Sequence, residues 1–439
     1  MTLPPAAGAD PPQDRAPWPF PFADGRDGRL GRRAWAGLAV AFLVIHFLAL
    51  GVANRTGNLD FAPNHDHARV MREILAQGYP TLAMWPPGNG YYMALTHLVT
   101  GSLGLPFWWG KLLLDPFLFV ASGLLSARLA QRLTHNRWLA VAGGVGLTAA
   151  PLFALASAEG LAVLPFQPLF LASLLALTAE LQRPQGPRPG GLAAAGALLG
   201  LATLVRANPQ FLLVALAPAV HGVFRRRGGR HPVAAALAAL AVTAVAQGVV
   251  LLPWSLVQRA SGAASGALAA PVFYRSFYNG VKRQQGNPIA VAQRRGEGPA
   301  ERSLAGVVRF HLYWAVEDPV ALAGLYGARL GRAWYLSSSG RWDRWIAALH
   351  APLWALALLG LALWARRSRG DPALWTVVSV ILYLWLVSAL ASGLARYLAP
   401  VYGLLGLAAA VPLLPWLPSS SHGERSRPRS PARRRMSSA

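Results

Sequence analysis

The 439-residue chain has no cysteine, which excludes disulfide stapling but does not decide a compartment, because helices in lipid need no disulfides. It is also poor in charge. Asp, Glu, Lys and Arg make up 13% of the residues, against about 25% in a soluble globular domain. Acids are the scarcer sign, 17 against 41 basic residues, so the net charge is +24. No alternating barrel pattern runs along the chain, and no small-residue cleavage site follows the first apolar run, which therefore reads as a retained anchor. What the chain does have is apolar residues, 54% of the total, together with 16 tryptophans and 44 glycines. That is the composition of a membrane protein with aromatic rings at the bilayer interfaces and helices packed through small residues.

Ten stretches approach the ~20 apolar residues needed to cross a hydrocarbon layer of roughly 30 Å. They are 34–53, 107–131, 138–157, 161–181, 190–206, 209–224, 232–257, 346–366, 373–391 and 398–418. Lipid offers backbone amides no partner outside their own helix, so each is predicted helical and the fold class is all-α polytopic membrane protein. Residues 1–33, proline-rich with Arg15, Arg26, Arg29, Arg32 and Arg33, form a disordered cytoplasmic leader. A transmembrane core over 34–257 includes a first extracytoplasmic loop at 55–106. A large extracytoplasmic loop follows at 258–345, then C-terminal spans at 346–418 and a basic cytoplasmic tail at 419–439. The tail arginines, Arg425 to Arg435, are read as orienting the chain or meeting anionic membrane lipid rather than nucleic acid.

Arginines in the short loops set the orientation. Those around Arg128–Arg137, Arg183–Arg188, Arg225–Arg230 and Arg366–Arg369 are predicted cytoplasmic, which puts both termini inside the inner (plasma) membrane. Pro87 to Leu103 must then be a helix lying in the outer interface, because counting it as a span would invert every later loop. The loop at 258–345 carries twelve basic residues against five acids, net +7, and its stretches 301–314 and 319–335 suit helices resting on the membrane surface.

Two arginines fall in very short outward connections. Arg206 ends one span in Leu204-Val205-Arg206-Ala207-Asn208-Pro209, and Arg396 begins another in Arg396-Tyr397-Leu398-Ala399-Pro400. A cation there works against insertion, so each points to something negative, either lipid phosphate reached by snorkelling or the phosphate of a substrate. Lys111 and Asp115, four residues apart on one helix, can satisfy each other as an ion pair. The first outer loop supplies acids, Asp60 and Asp66 in Asn58 to His67, ahead of a short helix over 68–77 closed by Gly78. Asp66 would complement that helix's dipole, whereas Asp60 lies ahead of it. With His65 and His67 these acids are a conceivable divalent-metal set, but the spacing matches no specific signature and no metal ligand is assigned.

These residues resemble the GT-C superfamily of integral membrane glycosyltransferases, in the branch related to protein O-mannosyltransferases and aminoarabinose transferases. The resemblance rests on the acidic loop, the short helix with Gly78-Tyr79, and Trp85-Pro86-Pro87-Gly88. It continues through Gly200 to Arg206, then Leu252-Pro253-Trp254 with Gln258-Arg259, and Arg396-Tyr397 with Pro400. Family members often carry an acid before the proline of the fourth outer turn, where this chain has Gln167-Pro168, with Glu159 upstream.

The resemblance implies a GT-C-like bundle that moves a sugar from a polyprenyl-phosphate-linked donor to an extracytoplasmic acceptor, with inversion. Asp60 or Asp66 is the expected base. Arg206 and Arg396 with Tyr397, helped by Arg259 and Lys282 of the basic loop, are the expected phosphate partners. A transporter or flippase of a lipid-linked anion would share the helices and the outer arginines. It would also tend to show charged or glycine-broken midplane helices and two related halves, and neither is present.

Overall fold

A computed structural model describes residues 30–55, 65–80, 86–158, 162–228, 230–260, 277–282, 284, 286–299, 303–334, 343–368, 370–391 and 397–416. Regular structure among them is helical throughout. In chain order the elements are α1 (Arg32–Arg55), α2 (His65–Gln77), α3 (Gly88–Ser102), α4 (Phe107–Thr134), α5 (Arg137–Thr148), α6 (Pro151–Ala158), α7 (Val163–Leu181), α8 (Pro189–Val205) and α9 (Leu212–Arg226). They continue with α10 (Pro232–Ala260), α11 (277–282), α12 (Pro288–Arg295), α13 (Leu304–Glu317), α14 (Pro319–Arg332), α15 (Asp343–Arg367), α16 (Pro372–Ala391) and α17 (Tyr402–Ala410). Short 3₁₀ turns at Ala399–Val401 and Val411–Trp416 flank α17.

Seven of the described segments are long and apolar enough to cross a membrane: α1, α4, α7, α10, α15, α16 and Ala399–Trp416. The other three expected spans come out shorter. α8 and α9 have 17 and 15 residues. The stretch 138–157 divides into α5 and α6 because Pro151 lacks an N–H and disfavours helix at the residue before it. The helices expected at 68–77, 87–103, 301–314 and 319–335 are α2, α3, α13 and α14. α2 ends where expected, at Gly78, whose positive φ of 82° suits glycine and whose N–H reaches the Ile74 carbonyl at 2.8 Å.

α7 and α17 are apolar on nearly every side and are buried along most of their length. Around them, helices approach through glycine. A Cβ on Gly196 of α8 would overlap the Thr243 carbonyl of α10, and one on Gly360 of α15 would overlap the Ala408 carbonyl of α17. α1 attaches more loosely, by lodging Phe42 against Gly123 of α4 and Gly144 of α5, and it turns Val40, Val44 and Leu48 outward, as a lipid-facing helix does. At the opposite end of α16, Asp371 is buried and accepts hydrogens from Trp364 Nε1 at 2.8 Å and the Ala373 N–H at 3.0 Å. Burial pushes its carboxyl up, against those two donors and Arg226, which pull it down.

α11 to α14 enclose a second, smaller core of Phe277, Tyr278, Val281, Ile289, Phe310, Trp314 and Leu325. α12 is too short, at eight residues, to announce itself by apolar period in the sequence. Arg329 pins this unit to the bundle. It is fully buried and donates to the Phe277 carbonyl at 3.0 Å and to the Leu390 carbonyl, in the last turn of α16, at 3.3 Å. Burial draws its guanidinium down to about 10, so it stays charged at neutral pH.

Candidate functional site

The two short arginine-bearing connections, some 190 residues apart in sequence, meet. Arg206 follows the last turn of α8 in extended backbone, and its guanidinium lies over the Tyr397 ring at 4.7 Å. That geometry is a cation–π contact, which holds the fork in a fixed plane. The turn after Arg206 is fastened from two sides. The Tyr383 hydroxyl of α16 donates to the Asn208 carbonyl at 2.6 Å and accepts from the Phe211 N–H at 3.1 Å. Gln247 of α10 donates through Nε2 to the Gln210 carbonyl at 3.3 Å and lies 3.4 Å from the Thr203 hydroxyl.

Three more helices close on the same junction. Gly88, at the start of α3, is pressed against the end of α8: a Cβ there would stand 2.7 to 2.8 Å from Val205 Cγ2, the Leu204 carbonyl oxygen and the Val205 nitrogen. Only glycine permits that approach. Gln167 of α7 donates through Nε2 to the Pro400 carbonyl at 3.3 Å. His350 of α15 meets the Trp334 carbonyl through Nδ1 at 3.0 Å, and the Tyr402 hydroxyl lies 3.3 Å from the same nitrogen. The Pro-Pro-Gly motif, the Gln167-Pro168 turn, Arg206 and the Tyr397–Pro400 connection thus belong to one place in the fold.

The remaining expected site residues stand as follows. Asp60 and Arg396 lie outside the described residues, as does Glu159. Asp66 is the second residue of α2, so its backbone sits in the helix's first turn. Arg259, in the last turn of α10, and Lys282, at the end of α11, are exposed, and neither makes a described contact with Arg206 or Tyr397. The Lys282 backbone carbonyl accepts from Arg294 at 2.7 Å. Asp115 takes the hydrogen of the Tyr92 hydroxyl, joining α3 to α4; its expected partner Lys111 has a side chain outside the described ones. Burial, then the Asp115 charge, pushes the Tyr92 phenol far above its ordinary range, so it remains a donor. Among the described residues no three His, Asp or Glu side chains come together as metal ligands do.

Gln247, Tyr383, His350 and Tyr402 had no sequence signal as site residues. Each lies on a plain apolar helix, and only the assembled bundle shows what it touches.

Among the described residues this is an all-α fold with seven segments long and apolar enough to cross a membrane, an all-α polytopic membrane architecture. The sequence matches no family model and no curated protein. Among solved structures, the chain is similar to the oligosaccharyltransferase AglB of Archaeoglobus fulgidus in complex with an inhibitory peptide and a dolichol-phosphate. The identity is 15% and the TM-score 0.51, covering 86% of this chain and 50% of that one. A structure of the Archaeoglobus fulgidus oligosaccharyltransferase tethered with an acceptor peptide gives 13% and 0.51, covering 87% and 49%. ArnT from Cupriavidus metallidurans, bound to undecaprenyl phosphate, gives 20% and 0.45, covering 87% and 60%. The chain therefore spans about half the length of the oligosaccharyltransferases it resembles.

Proposed function

We propose that the protein transfers a sugar from a polyprenyl-phosphate-linked donor to an acceptor on the extracytoplasmic side of the membrane. The observation that carries this reading is the meeting of Arg206 and Tyr397, which gathers two cation-bearing connections at one end of the apolar helices. A phosphate at the membrane interface, its lipid tail in the bilayer, is the anion suited to such a place. The fold likeness to AglB, a protein in complex with a dolichol-phosphate, is in keeping with it.

In the proposed reaction the acceptor hydroxyl attacks the anomeric carbon, and Asp60 or Asp66 takes its proton. The new glycosidic C–O bond forms as the bond from anomeric carbon to phosphate oxygen breaks. The phosphate leaves with that electron pair and is stabilised by Arg206 and Arg396, with Tyr397 holding the Arg206 plane. Direct displacement inverts the anomeric centre. Arg259 and Lys282 supply long-range positive potential rather than contacts.

The test is turnover of radiolabelled polyprenyl-phosphate sugars by purified protein. Either Asp60→Asn or Asp66→Asn should lower turnover by about 10² to 10⁴, with protein yield unchanged and the other variant much milder. Full activity in both variants would remove the proposed base.

A further inference from the structure

α8 stops at Val205 and α9 starts at Leu212, so Arg206 to Phe211 must reverse the chain. Pro209 lacks an N–H and disfavours helical geometry at Asn208, which leaves the Asn208 carbonyl in want of a donor. In a closed four-residue turn that carbonyl takes the N–H of the residue three further on, here Phe211. Among the described hydrogen bonds the two do not pair with each other. The Tyr383 hydroxyl of α16 stands between them, donating to the Asn208 carbonyl at 2.6 Å and accepting from the Phe211 N–H at 3.1 Å. The links on either side close within the chain, from the Gln210 N–H to the Ala207 carbonyl at 3.2 Å and from the Leu212 N–H to the Pro209 carbonyl at 3.0 Å. One link of the turn is thus held open by a side chain from another helix.

Gln247 of α10 ties the same turn on both sides of Arg206. Its Nε2 donates to the Gln210 carbonyl at 3.3 Å and lies 3.4 Å from the Thr203 hydroxyl, whose own hydrogen goes to the Leu199 carbonyl at 2.7 Å, so that the Thr203 oxygen is left to accept. A turn that had only to reverse the chain could close the 208–211 link by itself. Opening it fixes how the backbone leaves α8 at Arg206, where it is already extended, with φ −151° and ψ 120°. The side chain starting from that backbone is the one whose guanidinium lies 4.7 Å from the Tyr397 ring centroid.

Resting on the donor reading above, we propose that Tyr383, helped by Gln247, is a positioning residue for phosphate recognition: its hydroxyl, inserted between Asn208 and Phe211, keeps the turn open and thereby holds the Arg206 fork in its plane over Tyr397. With phenylalanine at 383 the 208–211 link closes on itself, the turn tightens, and the fork meets a phosphate out of that plane.

The test is titration of purified protein in detergent with undecaprenyl phosphate, reading the thermal midpoint of each variant alongside. Tyr383→Phe removes one oxygen and should weaken binding about five- to tenfold. Gln247→Met removes the second tie, should weaken binding about three- to fivefold, and serves in its place should Tyr383→Phe misfold. Ser173→Ala is the control for a purely structural bond between helices: it removes a hydroxyl that donates to the Ala195 carbonyl of α8 at 2.9 Å, far down the helix from the turn, and should leave binding within about twofold. In an Arg206→Lys background, where a flexible point charge has no plane to hold, Tyr383→Phe should cost less than about twofold. Wild-type affinity in Tyr383→Phe and Gln247→Met overturns the proposal. So does a loss that persists undiminished in the Arg206→Lys background, because Tyr383 would then be steadying the bundle rather than the arginine. Failure of the wild type to bind undecaprenyl phosphate at all is a different result: it refutes the donor reading, and this role with it.

Discussion

Replacing Arg206 by lysine keeps the charge and removes the planar fork, so it isolates what the Tyr397 stack contributes. In the native arrangement the guanidinium lies 4.7 Å from the ring centroid and is half-buried. A cation–π contact in that setting is worth about 0.5 to 2 kcal/mol, and a charge-assisted hydrogen bond about 1.5 to 3 kcal/mol. An ammonium at the same site keeps a point charge but neither stacks flat nor donates in parallel to two phosphate oxygens. Arg206→Lys should therefore weaken undecaprenyl phosphate binding by roughly 1.5 to 3 kcal/mol, about ten- to a hundredfold in Kd. Tyr397→Leu, which leaves the guanidinium without its platform, should cost about 1 kcal/mol. Because both act on one group, the double variant should lose less than the sum, with a coupling of about 1 kcal/mol. The assay is titration of the four proteins with undecaprenyl phosphate in detergent. Wild-type affinity in Arg206→Lys, or strict additivity in the cycle, would refute the reasoning.

Gly360→Val places a side chain into the Ala408 carbonyl of α17 and should lower the thermal midpoint by the equivalent of about 1 to 3 kcal/mol; an unchanged midpoint would mean that α15 and α17 do not cross so closely. Asp371 has a raised carboxyl pKa, so its folded-state contribution is fully present below about 4, the ordinary Asp value, and is lost as pH climbs through the raised value. The midpoint of the wild type relative to Asp371→Asn should fall over that rise and then level off, and a difference that is flat from acid to neutral pH would contradict it. For orientation, single cysteines in this cysteine-free chain at 62 and 285 should label with an impermeant maleimide in intact cells, and those at 185 and 368 should not. Labelling at 368 would invert the proposed topology.

Helices were the most legible part of the molecule, because lipid permits little else and long apolar runs are a strong signal. The break at Pro151 was legible too, yet hydropathy averages over it and a single span at 138–157 resulted. α12 was illegible because eight residues carry no clear period. At the site, Arg206 stood out because a cation in a short outer hairpin opposes insertion, whereas its contact with the Tyr397 ring emerges only from the assembled bundle. Gln167 was visible only as a departure from a family pattern. His350 gave no signal, since a histidine on an apolar helix becomes informative only when its neighbours are known. The Tyr92 partner of Asp115 was illegible for a simple reason: a helix period finds only neighbours on the same helix, whereas the Tyr92 hydroxyl arrives from another.

The central claim is that a sugar–phosphate bond is broken at this site. It is tested most directly with protein in sealed liposomes containing a doubly labelled polyprenyl-phosphate sugar, by following both labels. The account predicts that polyprenyl phosphate appears in step with sugar bound to acceptor, one for one, and that Arg206→Lys slows both labels equally. Donor that crosses between leaflets with its sugar still attached, and no release of polyprenyl phosphate, would contradict it and make the protein a carrier of the lipid-linked sugar.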